Sequence, residues 1–256
     1  MVAAASLELL VELADTKGAA GDRARVAKGQ LPLRYAEPWA QPFFAYALPA
    51  LRPGARILDV GSGRRPTFPR AVLPPKSYYV GLDVDEAELR AAPPRAYDEV
   101  VVANVSDATD AIPKQFDLIV SWQVFEHVHS LADTITNLYR ALCPDGRLVF
   151  MVSGRYALFA VLGRFVSHGV RVGAMAKLLG ADPAAKFPTH YDRCYAGALE
   201  DLLSSFSYVE ILPRYKGASY LRFCRPAEVA YLRYENWLVR SAKRDLATHY
   251  VVLAVR

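Results

Sequence analysis

Apolar residues in this chain follow two spacings. Short unbroken runs rich in β-branched and aromatic side chains occur at Arg56–Val60, Tyr78–Asp83, Glu99–Ala103, Phe116–Ser121 and Arg147–Val152. Closed off by turn residues, such runs predict strands buried on both faces of a sheet. Helical spacing marks 3–15, where Leu7, Leu10, Val11 and Ala14 share a face and Gly18 lies just past the end. It returns at 131–142, opened by a Ser130/Asp133 cap, and at Ala196–Phe206. Two more strands are predicted at Tyr208–Pro213 and Thr248–Val255. Residues 16–30 are polar and glycine-bearing and read as a loop. A short helical stretch up to Leu51 reads as broken by Pro42 and Pro49. Four prolines in 64–77 leave room only for a short helix there, and Asp85 followed by Glu88 opens another brief one. Strands alternating with helices predict an α/β chain.

Composition narrows the class. At 256 residues, with 53% apolar and 22% charged positions, the chain can bury a sizeable core as one domain with additions. The net charge of +5 comes from scattered Arg and Lys, without the dense basic stripe of a nucleic-acid binder, so no nucleic-acid partner is expected. The three cysteines, Cys143, Cys194 and Cys224, lie far apart with no C-x-x-C, which argues against a zinc site or a disulfide framework and fits a reducing cytoplasm. No metal ligand set is expected. Neither a signal peptide nor a membrane-spanning run of about 20 apolar residues is evident.

The chemistry gathers where the run Ile57–Val60 stops at Gly61-Ser62-Gly63. A buried strand followed by a glycine turn lets a ligand touch bare backbone. Twenty residues past Gly63, the next apolar run ends in Asp83, a carboxylate suited to the two hydroxyls of a ribose. Dinucleotides and S-adenosylmethionine both use this layout. A pyrophosphate site needs a third small residue, and here that place holds Pro66 after Arg64 and Arg65, which weakens the dinucleotide reading.

Leu58-Asp59-Val60-Gly61-Ser62-Gly63 resembles motif I of the class I S-adenosylmethionine-dependent methyltransferases. Val80-Gly81-Leu82-Asp83, then Phe116–Ser121 with Val124-Phe125-Glu126-His127-Val128, then Leu142-Cys143-Pro144-Asp145-Gly146-Arg147-Leu148, resemble later family segments in family order. Arg65 and the prolines after it depart from the pattern. The resemblance implies a Rossmann-like, doubly wound, seven-stranded, mostly parallel sheet and S-adenosyl-L-methionine as cofactor. It places Asp59, Gly61, Ser62 and Gly63 under the methionine part, Asp83 and Val84 at the ribose, Asn104 and Val105 at the adenine (Asp107 competing with Asn104), and Ser121 and Trp122 at the methyl end. Residues 1–52 then form a helical extension that brings Arg34, Tyr35 and Trp39 toward the cofactor or onto the core. Segments 154–195 and 217–246 are inserted helical caps.

A hydroxyl acceptor needs its proton removed. His127, in the Glu126-His127 pair, and His190, in Phe187-Pro188-Thr189-His190-Tyr191-Asp192-Arg193, are the candidate catalytic groups, each weighed against a packing role. His129, His168 and His249 are weaker. Ser121-Trp122-Gln123-Val124 lacks the Asn/Asp-Pro-Pro-aromatic signature of base-amine methylation and the acidic residue of polyamine synthases, and Cys143-Pro144 reverses the Pro-Cys of cytosine methylation. O-methylation of a small molecule is therefore expected. The alternatives are a sugar- or lipid-linked acceptor at a membrane surface and a non-catalytic scaffold that retains the fold. Phe159, Leu162, Phe165 and Val166, with Tyr220, Phe223, Tyr231, Tyr234 and Trp237, either pack the two inserted segments together, form a dimer interface, or make a lid or membrane contact.

Overall fold

The computed structural model describes residues 7–12, 17–107, 111–113, 115–165 and 188–256. Seven strands form one sheet: β1 (Arg56–Val60), β2 (Tyr78–Asp83), β3 (Glu99–Val102), β4 (Phe116–Trp122), β5 (Leu142–Ser153), β6 (Tyr208–Arg214) and β7 (His249–Val255). Their order is β3-β2-β1-β4-β5-β7-β6, with only β7 antiparallel to its neighbours. The chain winds one way from β1 to β3 and then the other way from β4. This reversal puts a topological switch point between β1 and β4, where open α/β sheets bind ligands at the carboxyl ends of their strands.

The unbroken apolar runs follow from burial on both faces. Alternate residues of each strand feed separate cores. Leu58, Val60, Ile119 and Phe150 pack with Leu131, Ile135 and Leu138 of α4 (Leu131–Ala141). Ile57, Leu118, Val120 and Met151 face the other way, toward Leu10 in the helical stretch 7–12 and toward Phe43 and Phe44. The two phenylalanines belong to α2 (Gln41–Ala47). The N-terminal extension thus covers a sheet face.

Several local expectations change. Within the expected loop 16–30, Lys17–Ala27 is a helix, α1. It has no strong apolar stripe. Alanine and arginine carry its propensity, and distant partners hold it: Asp22 accepts from Ser219 and Arg222, and Arg25 pairs with Glu228. Pro42 does not break α2 but stands in its first turn, where its missing N–H has no intrahelical role. β5 starts at Leu142, before the expected turn, because Leu142 pairs with Phe116 across a register shift. The cap predictions hold: Asp85 accepts from the N–H groups of Ala87 and Glu88 at the start of α3 (Glu86–Arg90), and Ser130 accepts from Asp133 N.

The later segments supply α5 (Leu158–Phe165), α6 (Ala196–Leu202) and α7 (Arg225–Arg240). Val166, His168, Arg171, Lys177 and Phe187 lie outside the described residues. Glu235 of α7, fully buried, accepts from Tyr35 Oη at 2.5 Å, from Gly217 N at 2.5 Å and from Arg34 Nη2 at 3.1 Å. Such a buried carboxylate needs its partners. They lock Arg34 and Tyr35 onto α7 and away from the switch point. Trp39 instead meets the His249 ring edge-on, centroids 4.7 Å apart.

Candidate functional site

The turn after β1 is built by backbone that only glycine takes easily. Gly61 has φ +72 and Gly63 φ +47, and Gly61 N donates to Leu82 O at 2.7 Å, joining the turn to the end of β2. A Cβ on Gly61 would lie 2.9 Å from Val124 Cβ and nearer still to its methyls. A Cβ on Gly63 would lie 3.3 Å from Asp83 Oδ2.

Asp59 is bonded within the protein. Its carboxylate is fully buried and accepts from Thr67 N at 2.7 Å, Thr67 Oγ1 at 2.8 Å and the Tyr79 hydroxyl. It ties the proline-rich segment to β2. Burial raises its pKa from 3.8 to about 6, against the hydrogen bonds from Tyr79 and Thr67 that lower it. A carboxyl with a raised folded pKa is held best when protonated. Its contribution is complete below its unfolded value and is lost as pH rises through about 6. Urea unfolding should show stability declining between about pH 4 and pH 6, and less steeply in Asp59→Asn. Identical slopes for the two proteins would remove Asp59 as the source.

Asp83 closes β2 beside this turn, mostly buried. Its Oδ1 accepts from Asp85 N at 2.9 Å, and desolvation raises its pKa. Tyr97 packs against Gly81 and donates to Gly63 O at 3.2 Å, so β2, the turn and Tyr97 form one rigid cradle. Past β3, Asn104 Nδ2 donates to Asp107 Oδ2 at 2.7 Å and Asn104 Oδ1 accepts from Ser106 N at 3.1 Å. The Asn104 amide orders the loop, and Asp107 is its partner. Asn137 of α4 donates to Val105 O at 3.0 Å, which fixes Val105 against the helix.

These groups border a cavity of about 410 Å³ at the switch point. Of the expected set it is lined by Gly61, Asp83, Val84, Asn104, Val105, Trp122, His127 and His190. Ser62 and Gly63 stand beside the wall, and Ser121 turns inward, its Oγ fully buried and donating to Val60 O at 3.1 Å. The three histidines of the wall gather together. His127 Nδ1 lies 2.9 Å from Pro188 O, and since a carbonyl can only accept, Nδ1 carries the proton. The His129 and His190 rings lie 4.0 Å apart. Burial, then His129 and His127, lower the pKa of His190, whose Nε2 is buried without a partner among the described residues. Sequence reasoning missed Gln123, Val124, Val128 and Pro188 as wall residues, and His129, a weaker candidate base, also lines the cavity. Only the β1–β4 pairing brings Val124 against Gly61.

A family model described as a methyltransferase domain matches residues 33–206. A demethylmenaquinone methyltransferase of Symbiobacterium thermophilum is 28% identical over 140 residues, covering 51% of this chain and 55% of that protein. A ubiquinone biosynthesis O-methyltransferase of Pseudomonas savastanoi pv. phaseolicola is 28% identical over 118 residues, covering 43% and 50%. The chain spans about half the length of these curated relatives. Among solved structures, an S-adenosylmethionine-dependent methyltransferase of Mesorhizobium loti has TM-score 0.51 and 21% identity, covering 85% of this chain and 97% of that one. Phosphoethanolamine N-methyltransferase 2 of Haemonchus contortus, in complex with S-adenosyl-L-methionine, has TM-score 0.50 and 15% identity, covering 86% and 53%. At these identities the likeness is one of fold.

Proposed function

This chain belongs to the methyltransferase-domain family, and on that premise we propose that it transfers the methyl group of S-adenosylmethionine to an oxygen of a small molecule. The observation that carries the reading is Asp83: a mostly buried carboxylate at the carboxyl end of β2, beside the two-glycine turn in the wall of the switch-point cavity. The residues fit the cofactor. Asp83 would accept from both ribose hydroxyls. The Gly61 turn would bring backbone against the methionine part, with Trp122 at the far wall. Val105 and Val128 would sandwich the adenine. When bound, the sulfonium supplies an activated methyl, so the chain's task is alignment and exclusion of water. His127, His129 and His190 line the same cavity.

Calorimetry with S-adenosylhomocysteine, followed by transfer of labelled methyl from S-adenosylmethionine to a panel of phenols and alcohols, tests the reading. Micromolar binding with transfer is expected. No binding at millimolar concentration sinks it, and tight binding without transfer to any acceptor favours a scaffold. A second reading places the acceptor at a membrane surface. It draws on Phe223, Tyr234 and Trp237, all exposed on or beside α7, and on the +5 charge. Among the described residues no helix is long and apolar enough to cross a membrane. Co-sedimentation with anionic vesicles, reduced in Trp237→Ala, would support surface contact.

A further inference from the structure

Two arginines, Arg64 and Arg65, follow the glycine turn. Arg64 reaches across to α3, where its Nε donates to Glu88 Oε2 and its Nη2 to Glu88 Oε1, both at 2.6 Å. This is a bidentate, charge-assisted pair. It closes over Gly63. A Cβ built on Gly63 would lie 3.2 Å from Glu88 Cβ, 3.3 Å from Asp83 Oδ2 and 3.6 Å from Glu88 Oε2. Glu88 thus packs on the bare backbone of the turn, and two carboxylates crowd the same glycine.

Like charges at such range repel, and partial burial strengthens the repulsion. Asp83 Oδ1 accepts from Asp85 N, and Oδ2 lies on the Gly63 side. Burial first, then the charges of Asp85 and Glu88, work against ionised Asp83, while the N–H groups of Asp85 and Val84 favour it. Asp59 of β1 and Tyr97, ahead of β3, are its other titratable neighbours. Past β3, Asp107 is bonded to Asn104. Among the described residues no arginine or lysine pairs with Asp83 itself, and Arg64 acts on it through Glu88. As a support for the fold the pair is weak: the Arg64 side chain is 50% exposed and that of Glu88 19%, and surface pairs of this kind contribute little. Its consequence lies at Asp83.

We infer that Arg64 is a positioning residue of the cofactor site: it masks the Glu88 charge, so that Glu88 can pack on Gly63 while Asp83 meets the ribose as a carboxylate. The inference rests on the methyl-transfer reading above. Glu88 closes the turn onto α3, and the adjacent arginine offsets the electrostatic cost of placing that second acid beside the first.

The test is calorimetry of the full chain with S-adenosylhomocysteine at about pH 5 and about pH 8, on the wild type, Arg64→Gln, Glu88→Gln and the double variant. Arg64→Gln should weaken binding about threefold or more at the lower pH and less than about twofold at the higher, because only the ionised fraction of Asp83 changes. Glu88→Gln should lose less affinity than the wild type between the two pH values. The double variant should return to about the wild-type pH dependence. Melting temperatures should stay within about 4 °C of the wild type, so that the profiles are read on folded protein. A pair that merely fastens the turn behaves differently: both single variants weaken by one factor at both pH values, and the double variant is no better than either. That result overturns the proposal, as does an Arg64→Gln profile parallel to that of the wild type. A wild-type protein that binds no S-adenosylhomocysteine fails at the earlier step and overturns the methyl-transfer reading itself.

Discussion

Asp83→Ala is expected to lower the affinity for S-adenosylhomocysteine by about 100- to 1,000-fold. The ionised carboxylate stands mostly buried at the end of β2 and accepts from Asp85 N with one oxygen. Two ribose hydroxyls donating to it would make charge-assisted hydrogen bonds of about 1.5–3 kcal/mol each. Truncation removes the acceptors for both and leaves the hydroxyls facing a cavity wall. Asp83→Asn keeps one carbonyl acceptor and should lose only about tenfold. The raised pKa adds a pH signature. Because the ionised form binds, affinity should fall as pH drops through a value above 3.8, the ordinary carboxylate pKa. Calorimetry on the three proteins, with thermal melts to confirm folding, decides the matter. A loss under about threefold for Asp83→Ala would remove Asp83 from the ribose site.

Gly61→Ala should destabilise the fold by about 3–5 kcal/mol and remove cofactor binding with it. Two costs add. The residue must hold φ +72, which strains any side chain with a Cβ. The new methyl would also press on the Val124 side chain, which the β1–β4 pairing holds close. The backbone cannot retreat easily, since Gly61 N is bonded to Leu82 O at 2.7 Å. Chemical denaturation measures the loss. Val124→Gly in the same chain should recover the steric part and not the φ strain, so a partial rescue is expected. Wild-type stability in Gly61→Ala would mean that the turn can adopt another path and that its geometry is not what shapes the cavity.

The sequence by itself determined the strands, the glycine turn and the place of Asp83 at the end of its strand. Each is a local property: period, β-branched content, two glycines, one acid at a fixed distance along the chain. The caps at Asp85 and Ser130 were legible for the same reason, because a cap bonds to N–H groups two or three residues away. What only the tertiary structure decided depends on partners distant in the chain. Asp59 and Ser121 sit in motif positions, but pairing with β2 and β1 turns both side chains inward, to Thr67 and Tyr79 and to Val60. α1 forms where the local sequence suggested a loop, because Ser219, Arg222 and Glu228 complete its charges. Arg34 and Tyr35 serve a buried glutamate on α7. Glu126, Ser153 and His249 meet only when antiparallel β7 lies against β5. No periodicity encodes such meetings, since they arise from strand order, and a polar residue's orientation is set by whichever buried partner offsets its loss of water.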